Sequence, residues 1–370
     1  MSSTRRDFIA ASLLGGLAVG VSGQGAAHIP RAAESLRILI LGGTGFIGPH
    51  QVEYALRRGH RLTLFNRGRT NPEIFPDVEQ LRGDRDNDLE ALRGRRWDAV
   101  IDNSASLPRW VRQSAELLRD AADLYLFVSS LSVFTDSSIV GIDETGPVGT
   151  LDDPTTEEIT GQTFGPLKAL CEREAENAFP GRALVVRPGL IVGPGDRSDR
   201  FTYWPVRIDR GGEVLSPGNP EDPVQLIDAR DLTHWMIHMV ERGETGIFNA
   251  TGPKASLSMA EMLYGIRAVT SAEVSFTWVE AEFLQGHDVR PWSHMPVWVP
   301  PRGGMEGFSR VDCRKAFAHA LAIRPLADTS RDTLDWFGSL PAERRENLRA
   351  GLPSDREVEV LAAWKIRNEA

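Results

Sequence analysis

A chain of 370 residues, 41% hydrophobic and 25% charged, is long enough to bury a full core, and its composition is neither that of a disordered chain nor that of a membrane protein. A formal net charge of −9 argues against a nucleic acid as partner, because that affinity rests on clustered Lys and Arg. Two cysteines, Cys171 and Cys313, are too few for a disulfide framework or a cysteine zinc site, and they read as buried free thiols.

The segment Ser3-Thr4-Arg5-Arg6-Asp7-Phe8-Ile9 resembles a twin-arginine export signature: hydroxyl residues, paired arginines, one polar residue, then two apolar ones. The apolar, glycine-rich run over 10–21 is too short to anchor in a bilayer, and Gly25-Ala26-Ala27 offers small residues for cleavage. Residues 1–33 therefore read as a signal peptide and short linker. That makes the twin-arginine export machinery a partner and places the mature protein in the periplasm or outside the cell, with no stable membrane anchor. The plainer alternative is a disordered tail that happens to carry Arg5 and Arg6.

From residue 34 onward, short apolar runs alternate with longer amphipathic ones. Residues 36–41 form a continuous β-rich run, as expected of a strand buried on both faces. A glycine turn and an amphipathic helix ending near Gly59 follow. Residues 62–65, 99–101, 124–128 and 183–186 supply further strands. This alternation predicts βαβ units and an α/β Rossmann fold, a doubly wound parallel sheet, over 34–189. After Arg187-Pro188-Gly189 the composition shifts towards glycine, proline and tryptophan. Residues 190–223 and 251–340 read as a smaller, interleaved C-terminal substrate lobe, and 224–250 as a return to the core that includes a strand near 246–249. A helical tail is expected over 341–370.

The strongest motif is Gly42-Gly43-Thr44-Gly45-Phe46-Ile47-Gly48, directly after the first strand. Gly42 permits the tight turn, Gly45 lets the backbone approach a pyrophosphate, and Gly48 lets the helix pack close to the strand. The helix that opens there aims free N–H groups and its positive dipole end at the phosphates. A carboxylate at the end of the second strand would bind the ribose 2′-hydroxyl; this chain has Asn66-Arg67-Gly68-Arg69 instead. An absent acid beside arginines fits NADP better than NAD, with NAD as the alternative cofactor.

With Asp84 of Gly83-Asp84-Arg85-Asp86 and the stretch Asn103-Ser104-Ala105, these features resemble the NAD-dependent epimerase/dehydratase family, the extended branch of the short-chain dehydrogenases. The resemblance runs from Leu36 to about Asn249. It implies that Asp84 contacts the adenine, that Asn103, Ser104 and Ala105 line the cofactor ribose, and that Ser129 and Pro188 border the cofactor. It also implies that Ser130, in Ser129-Ser130-Leu131-Ser132-Val133, hydrogen-bonds the substrate oxygen. The family's partner motif is a tyrosine followed four residues later by a lysine, the lysine lowering the pKa of the phenol that shuttles the proton. Here Lys168 is in place, to hold the nicotinamide ribose, but the tyrosine has become Phe164, which transfers no proton.

Substitute acids or bases must come from the lobe. Asp199 and Tyr203 follow the turn closely, and they serve if folded back over the nicotinamide; His287 and His294 flank Arg290 and Trp292 in a proline-rich loop. No spaced metal-ligand cluster occurs, so no metal is expected. The reading is an exported NAD(P)-dependent oxidoreductase or epimerase acting on a hydroxyl or keto group of a small, sugar-like substrate. The alternative is a dinucleotide-binding sensor or scaffold that has lost proton transfer at Phe164.

Overall fold

The computed structural model describes residues 31–103 and 105–369. The twin-arginine segment and Ser104 lie outside the described residues. Six strands come from the first half of the chain: β1 (Arg37–Leu41), β2 (Arg61–Asn66), β3 (Glu79–Arg82), β4 (Trp97–Asp102), β5 (Ala122–Val128) and β6 (Ala183–Pro188). Between them run helices α1 (Gly48–Arg58), α2 (Pro108–Leu118) and α3 (Phe164–Ala178). Then follow β7 (Ile191–Val192), α4 (Tyr203–Asp209), β8 (Gly212–Pro217), β9 (Pro223–Asp228), α5 (Ala229–Glu241), β10 (Gly246–Ala250), β11 (Gly252–Ser258), α6 (Met259–Arg267) and β12 (Val274–Val279).

The main sheet has seven strands in the order β10-β6-β5-β4-β1-β2-β3, and every neighbouring pair is parallel. Side chains alternate between its faces, as the period of two requires. Ile38 and Ile40 pack with Val52 and Ala55 of α1 and Leu232 and Met236 of α5. Leu39 and Leu41 pack with Val111 and Ala115 of α2 and Cys171 and Ala175 of α3. The doubly wound α/β fold expected from the apolar runs is therefore the fold observed. Both cysteines are buried and free, and burial pushes each thiol up to about 12.

One expected element sits elsewhere. The strand after residue 223 was assigned to the core, but β9 pairs with β7 and β11 in a separate three-stranded sheet, while α5 and β10 do complete the Rossmann layer. The lobe has its own core around Phe201, Trp204, Met262, Val279 and Trp298. The C-terminal helix Ser354–Glu369 closes it through Glu357, a buried carboxylate that accepts from Arg207 Nε and from Leu215 N at 3.0 Å.

Candidate active site

The carboxyl ends of β1, β4, β5 and β6 open onto one continuous cleft, the place where open α/β sheets bind ligands. The chain leaves β1 through Gly42 at φ 88°, a conformation that favours glycine. A Cβ on Gly48 would lie 2.4 Å from the Gly43 carbonyl carbon, so α1 packs against the turn only because residue 48 is glycine. Ile47 precedes α1 and gives no side-chain cap, which leaves first-turn N–H groups for an anion.

The outer part of the cleft is a cavity of 290 Å³ reached by Gly42, Thr44, Gly45, Asn66, Arg67 and Asp84. Asn66 is engaged in the fold: its amide donates to Gln80 Oε1 at 2.8 Å, and its oxygen accepts from Gly68 N and Arg82 Nη1. Arg67 is 57% exposed, with Asp84 as its nearest acid at 3.9 Å. Two residues absent from the sequence-based expectations shape this part. Arg85 forms a buried ion pair with Asp102 at 2.6 Å, tying the Asp84 turn to the end of β4. Trp110 also lines the cavity, and its indole N–H is buried without a partner among the described residues. Arg85 sits inside the Gly83-Asp84-Arg85-Asp86 stretch but its pairing with Asp102 does not show there, Trp110 belongs to no motif, and only the fold brings them together.

The inner part is a cavity of 380 Å³ that gathers Gly45, Phe46, Ile47 and Gly48 from the glycine turn with Asn103, Ala105, Ser129, Ser130, Lys168 and Pro188. Asn103 donates its amide to Gln51 at 2.6 Å, while its oxygen is buried and has no partner among the described residues, an acceptor for a hydroxyl. Lys168 is buried, and its Nζ donates to the carbonyls of Ala105 at 2.8 Å and Val128 at 2.6 Å. Its ammonium lies 4.4 Å from the centre of the Phe127 ring, and burial pushes its pKa down to about 8. Ser129 turns its hydroxyl away from the cleft, onto Glu172, and contributes backbone to the wall. Ser130 faces the cleft; its hydroxyl accepts from Ser132 N at 3.1 Å and donates to Ser132 Oγ at 3.0 Å.

Phe164 stands at the first turn of α3, one helical turn before Lys168, where the inner cavity meets a third cavity of 280 Å³. That third space is walled by Leu131, Phe134, Ile142, Leu190, Trp292 and Phe308, with hydroxyls from Ser132, Thr251 and Ser309. Asp199 and Tyr203 are not part of the cleft. Asp199 is fully buried and points into the C-terminal segment, accepting from Arg344 at 2.6 Å and from Arg349 N at 2.8 Å. Tyr203 is packed edge-on against Trp204 in the lobe core, and burial raises its pKa well above the usual phenol value. Both act as packing and anchoring residues, so the expectation that either reaches over the nicotinamide is corrected. His287 stacks on Phe283 and His294 binds its own loop, also away from the cleft.

The donor set fits a dinucleotide. A glycine cradle faces the pyrophosphate position, the orphaned Asn103 oxygen and Lys168 face the inner ribose position, and the outer cavity has an open aromatic wall. The model of the family described as NAD dependent epimerase/dehydratase matches residues 38–251. The chain is 27% identical over 245 residues to epimerase family protein SDR39U1 of Bos taurus, covering 61% of this chain and 78% of that protein. It is 26% identical over 250 residues to the chloroplast stem-loop binding protein of 41 kDa b of Arabidopsis thaliana, and that alignment covers 62% of each chain. In fold it resembles human epimerase family protein SDR39U1, solved with NADPH, at a TM-score of 0.54 and 20% identity, over 81% of this chain and 99% of that one. With its glycine cradle, its parallel sheet and a match over more than half its length, the chain belongs to the NAD-dependent epimerase/dehydratase family.

Proposed function

We propose that the protein is an NAD(P)-dependent oxidoreductase or epimerase acting on a hydroxyl or keto group of a compact substrate. One observation carries this reading: Ser130 and Lys168 line the inner cavity together with the glycine turn, and Ser130 also lines the cavity next to it. A bound nicotinamide supplies or accepts the hydride. Lys168 holds the ribose; the Ser130 hydroxyl, which donates to Ser132 Oγ here, turns to donate to the substrate oxygen, and the exposed Ser132 hydroxyl then donates to Ser130 Oγ and recovers its proton from solvent. Phe164 excludes water from the junction and moves no proton. The sugar-like substrate implied by the family narrows accordingly. Of the lobe tryptophans, Trp292 lines the cavity, whereas Trp298 is core and donates to Asp222 at 2.7 Å. A space of 280 Å³ is at the small end for ligand pockets.

The test follows nicotinamide absorbance with a panel of hydroxy and keto compounds. Ser130→Ala is expected to lower kcat by about 10²–10³-fold, the range of a positioned proton donor, with NADPH affinity unchanged. Phe164 favours the second reading, a dinucleotide sensor or scaffold. A wild type that binds NADPH yet turns over nothing across the panel would establish that alternative.

NADP is the cofactor we favour, because Arg67 and Arg69 stand at the outer cavity with no carboxylate closer than 3.9 Å among the described residues. Arg67→Ala is expected to weaken NADPH by about 10-fold or more and NADH little, the value of a charged hydrogen bond to phosphate. Equal losses for both would remove Arg67 from the site.

We also infer export through the twin-arginine route. That machinery carries folded proteins, so a cofactor loaded in the cytoplasm crosses with its protein and is regenerated within each catalytic cycle. Changing Arg5 and Arg6 together to Lys is expected to leave the precursor in the cytoplasm. Normal amounts of mature-sized protein outside would contradict it.

A further inference from the structure

The substrate cavity contains a cation that the described protein leaves uncompensated at contact distance. Arg200 lines both the inner cavity and the substrate cavity, at their junction. Its guanidinium lies 5.2 Å from the centre of the Trp292 ring, which holds the planar fork by stacking. Its Nε donates to Ser198 Oγ at 3.2 Å, while among the described residues neither Nη is hydrogen-bonded and no carboxylate oxygen lies within 4.0 Å. Asp196 is the acid that influences it, but that carboxylate is turned onto Ser198, accepting from its N at 2.8 Å and its Oγ at 2.9 Å. Burial without a contact partner lowers the Arg200 pKa.

Thr251 supplies a second, independent sign of an absent ligand. The residue is 1% exposed and lines the same cavity, and its hydroxyl has no hydrogen-bond partner among the described residues. Around these two polar groups the wall is Phe134, Ile142, Leu190 and Phe308, with Gln225 and Asp136 also on the lining, the Asp136 carboxylate being turned onto Ser138, whose N and Oγ donate to it. A half-buried guanidinium whose fork is free among the described residues selects a planar oxyanion that it binds in bidentate fashion. A sugar nucleotide brings two phosphates and a nucleoside, against which this cavity sets one cation, one carboxylate and 280 Å³.

We propose that Arg200 is the substrate-specificity residue: it clamps a carboxylate, so that the protein takes a compact carboxylic acid with an apolar body and a keto or hydroxyl group presented to Ser130. This rests on the oxidoreductase reading for the reacting group, but not for the clamp itself.

The test is calorimetric titration of the NADPH-loaded full chain with pyruvate, 4-methyl-2-oxopentanoate and phenylpyruvate, with their methyl esters, and with UDP-glucose. The two larger acids are expected to bind at least 10-fold more tightly than their esters. Arg200→Met is expected to cost those acids on the order of 10–100-fold, the value of a charged hydrogen bond, to level the acid-to-ester ratio, and to change NADPH affinity by less than about 3-fold. Arg200→Lys restores part of the acid affinity. The clamp is overturned if acids and esters bind alike, if none of the acids binds, if UDP-glucose is the ligand taken up, or if Arg200→Met weakens NADPH as much as it weakens the acids. Acid binding without any turnover would keep the clamp and sink the oxidoreductase reading, so the two failures are separable.

Discussion

Replacing Glu172 with alanine is expected to lower the unfolding free energy by about 3–5 kcal/mol, the range for removing one partner of a buried ion pair. Glu172 accepts from Arg187 Nε at 2.9 Å and Nη2 at 2.7 Å, and the two side chains are 7% and 3% exposed. Without the carboxylate, Arg187 is a buried cation facing only the Phe134 ring and the Glu144 carbonyl. The same carboxylate accepts from Ser129, so its loss also loosens the strand end that presents Ser130. Glu172→Gln keeps the volume and one acceptor, and its cost should be smaller. Urea unfolding of all three proteins at unchanged m-value measures the difference. A loss below about 1 kcal/mol for Glu172→Ala would mean that the pair is not worth what its geometry implies.

Lys168→Met is expected to separate stability from function. The ammonium is buried and its pKa is pushed down to about 8, from 10.5. Between those values the unfolded chain binds more protons than the folded one, so wild-type stability rises with pH there. The penalty for burying the charge is fully present below pH 8 and fades as pH climbs to 10.5. The difference in unfolding free energy between Lys168→Met and wild type should therefore move by about 3 kcal/mol in favour of wild type over that window. At neutral pH the variant is expected to fold, because methionine matches the length of the lysine stem and keeps contact with the Phe127 ring, while dinucleotide affinity falls at least 10-fold through loss of the ribose contact. A difference that stays flat from pH 8 to 10.5 would show that Lys168 titrates normally in the fold.

Much of this architecture is legible in the residues themselves. Continuous apolar runs mark β1, β4, β5 and β6 because a parallel strand is buried on both faces. β3 escaped because it is a charged edge strand, Glu-Gln-Leu-Arg, with a single buried side chain. Gly42 and Gly48 are readable because a positive φ at the first and backbone 2.4 Å from a Cβ at the second favour no other residue. A Cβ on Gly45 would meet only the Gly42 carbonyl oxygen at 4.0 Å, so that glycine is readable from the motif and not from the fold. The spacing of Phe164 and Lys168 is readable because four residues is one turn of helix.

Asp199 and Tyr203 show where sequence reasoning stops. Both lie within a few residues of Arg200, which does reach the cleft, yet at Asp199 the backbone adopts φ 59° and its side chain is captured by Arg344 and Arg349. Those arginines are about 145 residues further along, and no local pattern announces the contact. Trp110 and the pair Arg85–Asp102 were hidden for the same reason: each partner reads as ordinary by itself, and its role exists only in the assembled cleft.

The central claim is that this cleft holds a nicotinamide dinucleotide, and calorimetric titration of the folded protein with NADPH tests it most directly. The account predicts saturable binding at one site per chain. It also predicts loss of that binding in Gly48→Ala, whose Cβ would lie 2.4 Å from the Gly43 carbonyl carbon and push α1 off the turn. A folded wild type that shows no saturable NADPH or NADH binding, or a Gly48→Ala variant that binds as well as wild type, would contradict it.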